Sequence, residues 1–157
     1  MPVEGQRLGT AELPGGGRVA YAVTGSGPPL LLVPGLLSHL ELGWAIPAER
    51  RLHQALSTGR TLVRYDRPGC GLSDAHDGPR TLELELAAVT AVVAALGLDR
   101  LDLLGTSLGA PVAAQWAAER PEAVDRLVLY GGWAEGRAIG DEDSRRHVLG
   151  LVGTHWG

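Results

Sequence analysis

Gly105-Thr106-Ser107-Leu108-Gly109 sets a serine between two glycines in the spacing G-x-S-x-G. A serine hydroxyl attacks a carbonyl only if it stands clear of the backbone and the oxygen that becomes negative finds N–H donors. A sharp strand-to-helix turn supplies both, and glycines on either side of the serine relieve the clashes of so tight a bend. The pentapeptide alone is weak evidence, because six serines and 23 glycines give roughly 0.1 chance matches in a chain of this length. Its surroundings make it specific. Leu101 to Leu104 reads as a short buried strand and Leu108 to Glu119 as a helix, with Pro111 in the first turn where a missing N–H costs nothing. The N-terminus of that helix would face the developing charge.

A second donor is expected from the loop after Leu30-Leu31-Leu32-Val33, four apolar residues that read as a strand buried on both faces. There Pro34-Gly35-Leu36 brings the N–H of Leu36 into play beside that of Leu108, and Gly35 permits close backbone approach. Open α/β sheets place their ligands at the carboxyl ends of such strands.

The other elements must hold these two loops side by side. Arg7 to Leu13 and Arg18 to Thr24 flank Pro14-Gly15-Gly16-Gly17 and predict a β-hairpin. Pro47 to Leu56 predicts a helix and Thr61 to Tyr65 a strand leading into a glycine-rich loop. Thr81 to Leu96 is the clearest helix: Thr81 is a candidate N-cap, Glu83 and Glu85 suit the positive end of the dipole, and Gly97 suits the C-terminus. Arg126 to Tyr130 is the last strand, and residues 141–151 could form one further helix. Alternating strands and helices predict an α/β fold with a mostly parallel sheet and flanking helices. Residues 1–132 are expected to form this partial core and 133–157 the start of a cap.

Composition narrows the function. A net charge of −4 with scattered signs offers no basic face for nucleic acid. All 14 basic residues are arginine, so serine-lysine dyads and Schiff-base chemistry are excluded. Cys70, the single cysteine, forms no internal disulfide or thiolate cluster and fits a reducing compartment. No metal-ligand spacing or phosphate-cradling loop is present, so no cofactor is expected. Residues 1–13 lack the apolar core of a secretory signal, and no apolar run reaches the roughly 20 residues that span a bilayer. The expected location is the cytoplasm, without membrane contact.

Three ordered motifs, Leu-Val-Pro-Gly-Leu at 32–36, Tyr-Asp-Arg-Pro-Gly-Cys-Gly-Leu-Ser-Asp at 65–74 and Gly-Thr-Ser-Leu-Gly at 105–109, resemble the α/β-hydrolase superfamily. The resemblance implies the family's sheet up to its sixth strand, Ser107 as nucleophile and Leu36 and Leu108 as oxyanion donors, with Gly35, Gly105 and Gly109 supporting them. It implies a fold-supporting role for 65–74, including Asp66, Cys70 and Asp74. Where many relatives carry His-Gly, this chain has Pro34-Gly35, which keeps the donor but removes a side chain that often braces the loop. Relatives continue into strands whose loops supply an acid and a histidine. The sequence stops short of those strands, so a truncated serine hydrolase is expected, acting on a carboxylic ester or similar acyl substrate.

His39, His53 and His76 precede Ser107 and read as surface or loop residues; His147 and His155 follow it on a cap-like segment. Glu135 lies where some relatives carry the acid, so a self-contained Ser107, Glu135 and His155 or His147 arrangement is conceivable, although no strand between Glu135 and His155 returns the imidazole to the turn. Loss of the base alone removes about 10⁶ in turnover, with about 10³–10⁴ over water surviving. The alternative is a non-catalytic module of the same fold. With no neighbour, Leu127-Val128-Leu129-Tyr130 forms an apolar edge, from which self-association or a C-terminal partner is expected.

Overall fold

The computed structural model describes residues 5–135, 140–144, 146, 147 and 150. Six strands form one sheet in the order β1-β2-β4-β3-β5-β6. Strands β1 (Arg7–Glu12) and β2 (Arg18–Gly25) are the expected hairpin, paired antiparallel from Arg7–Val23 to Glu12–Arg18. Strand β2 also runs antiparallel to β4 (Thr61–Tyr65), whereas β4, β3 (Pro29–Val33), β5 (Leu101–Thr106) and β6 (Val124–Tyr130) are parallel. The architecture is thus the expected α/β sheet, mostly parallel and flanked by helices.

Helix α3 (Leu82–Ala95) starts and stops as its sequence dictates. The Thr81 side chain accepts from the Leu84 N–H, and Gly97, at φ +61°, closes the far end. There Gly97 N–H donates to Ala94 and Leu98 N–H to Val93, the paired bonds of a Schellman cap. With α4 (Gly109–Glu119), α3 covers one sheet face: Leu31, Val33, Val63, Leu101 and Leu103 pack on Val89, Val92, Val112, Ala113 and Trp116. The lone polar residue in the apolar run of α3 has a purpose here, since Thr90 Oγ1 accepts the Trp116 indole N–H at 2.9 Å.

The opposite face departs from expectation. Helix α2 (Pro47–Leu56) lies on it, with a short helix α1 (Leu40–Ala45) that the sequence did not signal. Leu32 and Leu104 are only half-buried and Val128 is exposed, so β3 is not sealed on both sides. They line a cavity of about 620 Å³ between this sheet face and Leu52, His53 and Leu56 of α2. The physical reason is coverage: two short helices cannot span four parallel strands.

Residues 142–144, 146, 147 and 150 are helical, within the helix expected over 141–151, whose last residue lies outside the described residues. His155 lies outside them as well, as does much of the expected cap over 133–157. Among the described residues, no helix is long and apolar enough to cross a membrane.

Candidate active site

Strands β3 and β5 are hydrogen-bonded neighbours in the register Val33–Gly105. Two residues further on, Gly35 and Ser107 therefore face each other across the carboxyl edge of the sheet. A Cβ built on Gly35 would lie 3.4 Å from Ser107 Cβ and 3.9 Å from its Oγ. Ser107 is exposed, and among the described residues it is the one non-glycine with positive φ, at 51°. An L-residue held in this left-handed region costs roughly 1–2 kcal/mol, a strain sustained by the hydrogen bonds around it. Its own N–H donates to Tyr130 O at 2.8 Å, and its carbonyl accepts from Ala110 N–H at 3.0 Å.

The two glycines of the pentapeptide are there for close approach. A Cβ on Gly105 would sit 2.7 Å from Ala110 Cα, and one on Gly109 would sit 2.3 Å from the carbonyl oxygen of Val33. Helix α4 can thus begin directly against the end of β3. Leu108 is its N-cap and makes no side-chain capping bond; in the first turn Ala110 N–H donates to Ser107 O, and Pro111 has no N–H to satisfy.

The loop after β3 is tied down from the β4 side. Arg67 Nη1 donates to Leu36 O at 2.9 Å and to Gly35 O at 3.4 Å, and Arg67 N–H donates to Ser38 Oγ at 2.9 Å. The rest of the guanidinium grips Glu85: Nε reaches both carboxylate oxygens at 3.1 Å and Nη2 reaches Oε1 at 2.5 Å. The side chains of this pair are 4% and 6% exposed. Burial alone would lower the Arg67 pKa, but the bond to Glu85 and its charge outweigh it and raise the value. Glu85 occupies the first turn of α3 as expected, yet its carboxylate serves Arg67. Sequence reasoning missed the pairing of the two; the available signal was an arginine in a glycine-rich loop and a second acid, Glu85, in the first turn of a largely apolar helix. Arg67 thus links the loop after β3 to α3.

Asp66, fully buried, accepts from the N–H groups of Leu40 and Leu72 at 3.1 and 2.8 Å. Asp74 meets the Arg18 guanidinium at 3.2 Å, and half-buried Cys70 accepts from Arg80. All three organise the 65–74 loop.

A profile described as the alpha/beta hydrolase fold matches residues 28–146. The chain belongs to the α/β-hydrolase family. Among the hydrolases it resembles, pyrrolizixenacetamide deacetylase of Xenorhabdus hominickii is 37% identical over 80% of this chain and 45% of its own length. A 2-hydroxy-6-oxononadienedioate/2-hydroxy-6-oxononatrienedioate hydrolase of Klebsiella pneumoniae is 34% identical over 62% and 34%. A solved hydrolase from Pseudomonas aeruginosa PA01 superposes with a TM-score of 0.73 at 28% identity, over 94% of this chain and 58% of that one. The chain spans less than half the length of these two curated hydrolases.

Within this α/β-hydrolase unit, no described side chain hydrogen-bonds the Ser107 hydroxyl. His39 Nδ1 caps α1 by accepting from Leu42 N–H, half-buried His76 lies 3.3 Å from Pro79 O, and exposed His147 lies 2.7 Å from Asp143 O. His53 corrects the expectation of a surface or loop residue: it is 7% exposed, in α2, stacked on Trp44 with ring centroids 6.3 Å apart. Helix α2 turns it inward onto Trp44.

Burial, and then the charge of Arg64, lower the His53 pKa to about 4. The folded state therefore binds fewer protons than the unfolded chain between its ordinary value near 6.5 and about 4, and stability falls as pH drops through that window. The expected loss is on the order of 2 kcal/mol. Melting temperatures across this range for wild type and His53→Gln check it: the variant should show a flatter acid limb.

Proposed function

We propose that this chain carries the nucleophile and oxyanion-stabilising half of a serine hydrolase for carboxylic esters or similar acyl substrates. Ser107 Oγ gives its proton to a base and bonds to the substrate carbonyl carbon. The carbonyl oxygen takes the displaced electron pair and is stabilised by the N–H groups of Leu36 and Leu108. Collapse expels the protonated leaving group and leaves an acyl-serine, which water hydrolyses by the same route. The observation that carries the reading is the exposed Ser107 at φ 51°, directly facing Gly35. Serine at this turn, where alkyl-enzyme chemistry needs a carboxylate, favours acyl transfer. The Xenorhabdus relative is named as a deacetylase, and a 29%-identical solved neighbour from Rhodococcus sp. ECU1013 as an esterase.

A cavity of about 590 Å³ lies at the start of α4, just past the turn, lined by Ala110, Pro111, Leu129 and Trp133 among others. In this reading it takes the apolar part of the substrate, under a cap that begins near Trp133. The expected result is covalent labelling by a fluorophosphonate at Ser107, absent in Ser107→Ala. A second reading, a ligand-binding module without turnover, draws on the missing histidine partner of Ser107 among the described residues. Small-molecule binding without labelling would select it.

The same reading includes self-association through β6, whose Leu127, Val128, Leu129 and Tyr130 are 39 to 74% exposed. Sedimentation velocity is expected to show mass rising with concentration, and Val128→Lys to suppress the rise. A monomer at all concentrations would overturn it.

A further inference from the structure

We propose that Arg67 is the positioning residue of the oxyanion loop, with Glu85 fixing the direction of its guanidinium. The proposal deepens the serine-hydrolase reading and rests on it. The loop carrying Gly35 and Leu36 has no regular structure, and its two leucines, Leu36 and Leu37, are 56% and 60% exposed. Apolar packing therefore does not hold its backbone. The Arg67 guanidinium does so at two points, the carbonyls of Gly35 and Leu36, and the Arg67 backbone N–H adds a bond to the hydroxyl of Ser38.

In a trans peptide the carbonyl of one residue and the N–H of the next point in opposite directions, and no described peptide is cis. Holding the Gly35 carbonyl on the Arg67 side consequently turns the Leu36 N–H away from Arg67. Fixing that plane fixes the donor before any substrate arrives, which is what pre-organised stabilisation of an oxyanion requires. The fork suits the task, because Nε and Nη2 are occupied by Glu85 while Nη1 alone serves the loop. Lysine has no such division of donors. A buried ion pair of this kind adds little net stability compared with apolar residues of similar volume, so its contribution lies in direction.

The test compares wild type, Arg67→Lys and the double variant Arg67→Met/Glu85→Leu. The readouts are melting temperature, amide exchange across residues 34–38, and the rate of Ser107 phosphonylation by a fluorophosphonate. The double variant is expected to melt at or above the wild-type temperature, to exchange its loop amides at least about tenfold faster with β3 unchanged, and to react about 100-fold more slowly, the loss seen when one oxyanion donor is removed. Arg67→Lys should show the same two losses in smaller measure, and it decides the matter if the double variant does not fold. Wild-type exchange in the loop, or a wild-type reaction rate, in a folded variant overturns the proposal. If wild type itself fails to react, the hydrolase reading falls, while loop exchange still decides whether Arg67 holds the loop.

Discussion

Gly109→Ala is expected to lower the unfolding free energy by about 3 kcal/mol, the upper end of what overpacking usually costs. The added Cβ would stand 2.3 Å from the carbonyl oxygen of Val33 and 2.4 Å from that of Pro34. Both obstacles are backbone, so no side chain can swing aside. Relief requires α4 to retreat from β3, and that retreat breaks the approach between Ser107 and Gly35. Urea titration should show a lower midpoint with an unchanged slope, and whatever folded protein remains should lose its reaction with fluorophosphonate. Wild-type stability in this variant would mean that α4 does not abut β3.

Asp66→Ala is expected to cost about 2–4 kcal/mol, because it strands the buried Leu40 N–H and the part-buried Leu72 N–H, a buried donor costing roughly 1–3 kcal/mol when left unsatisfied. One carboxylate oxygen serves both Leu40 and Leu72, tying α1 and the glycine-rich loop to the end of β4. Asp66→Asn keeps an acceptor oxygen at that point and should recover more than half of the loss. Equal destabilisation by both substitutions would show that charge, rather than the shared acceptor, is the stabilising element.

Elements whose signal is local were legible in the sequence. Pro47–Leu56 and Thr61–Tyr65 fall where their patterns place them, and the hairpin and α3 follow from their turn and cap residues. The serine turn was legible for the same reason: strand, glycine, serine, glycine and helix are contiguous. What escaped depends on distant contacts. Helix α1 is six residues long, below the length at which periodicity speaks, and it is held by Trp44, 3% exposed beneath the Arg64 guanidinium. The Arg67–Glu85 pair joins a loop to a helix across 18 positions. Each residue had a simpler local explanation, and only the fold brings them together.

The parallel ladder between β3 and β5 acts as a ruler for the approach of Gly35 to Ser107. One residue inserted into either strand would carry Gly35 about 3.3 Å past Ser107 and turn successive side chains to the opposite face. A two-residue insertion would restore the facing but double the offset. Length changes compatible with the proposed chemistry at Ser107 are thereby confined to segments outside this ladder, such as the hairpin turn at 13–17.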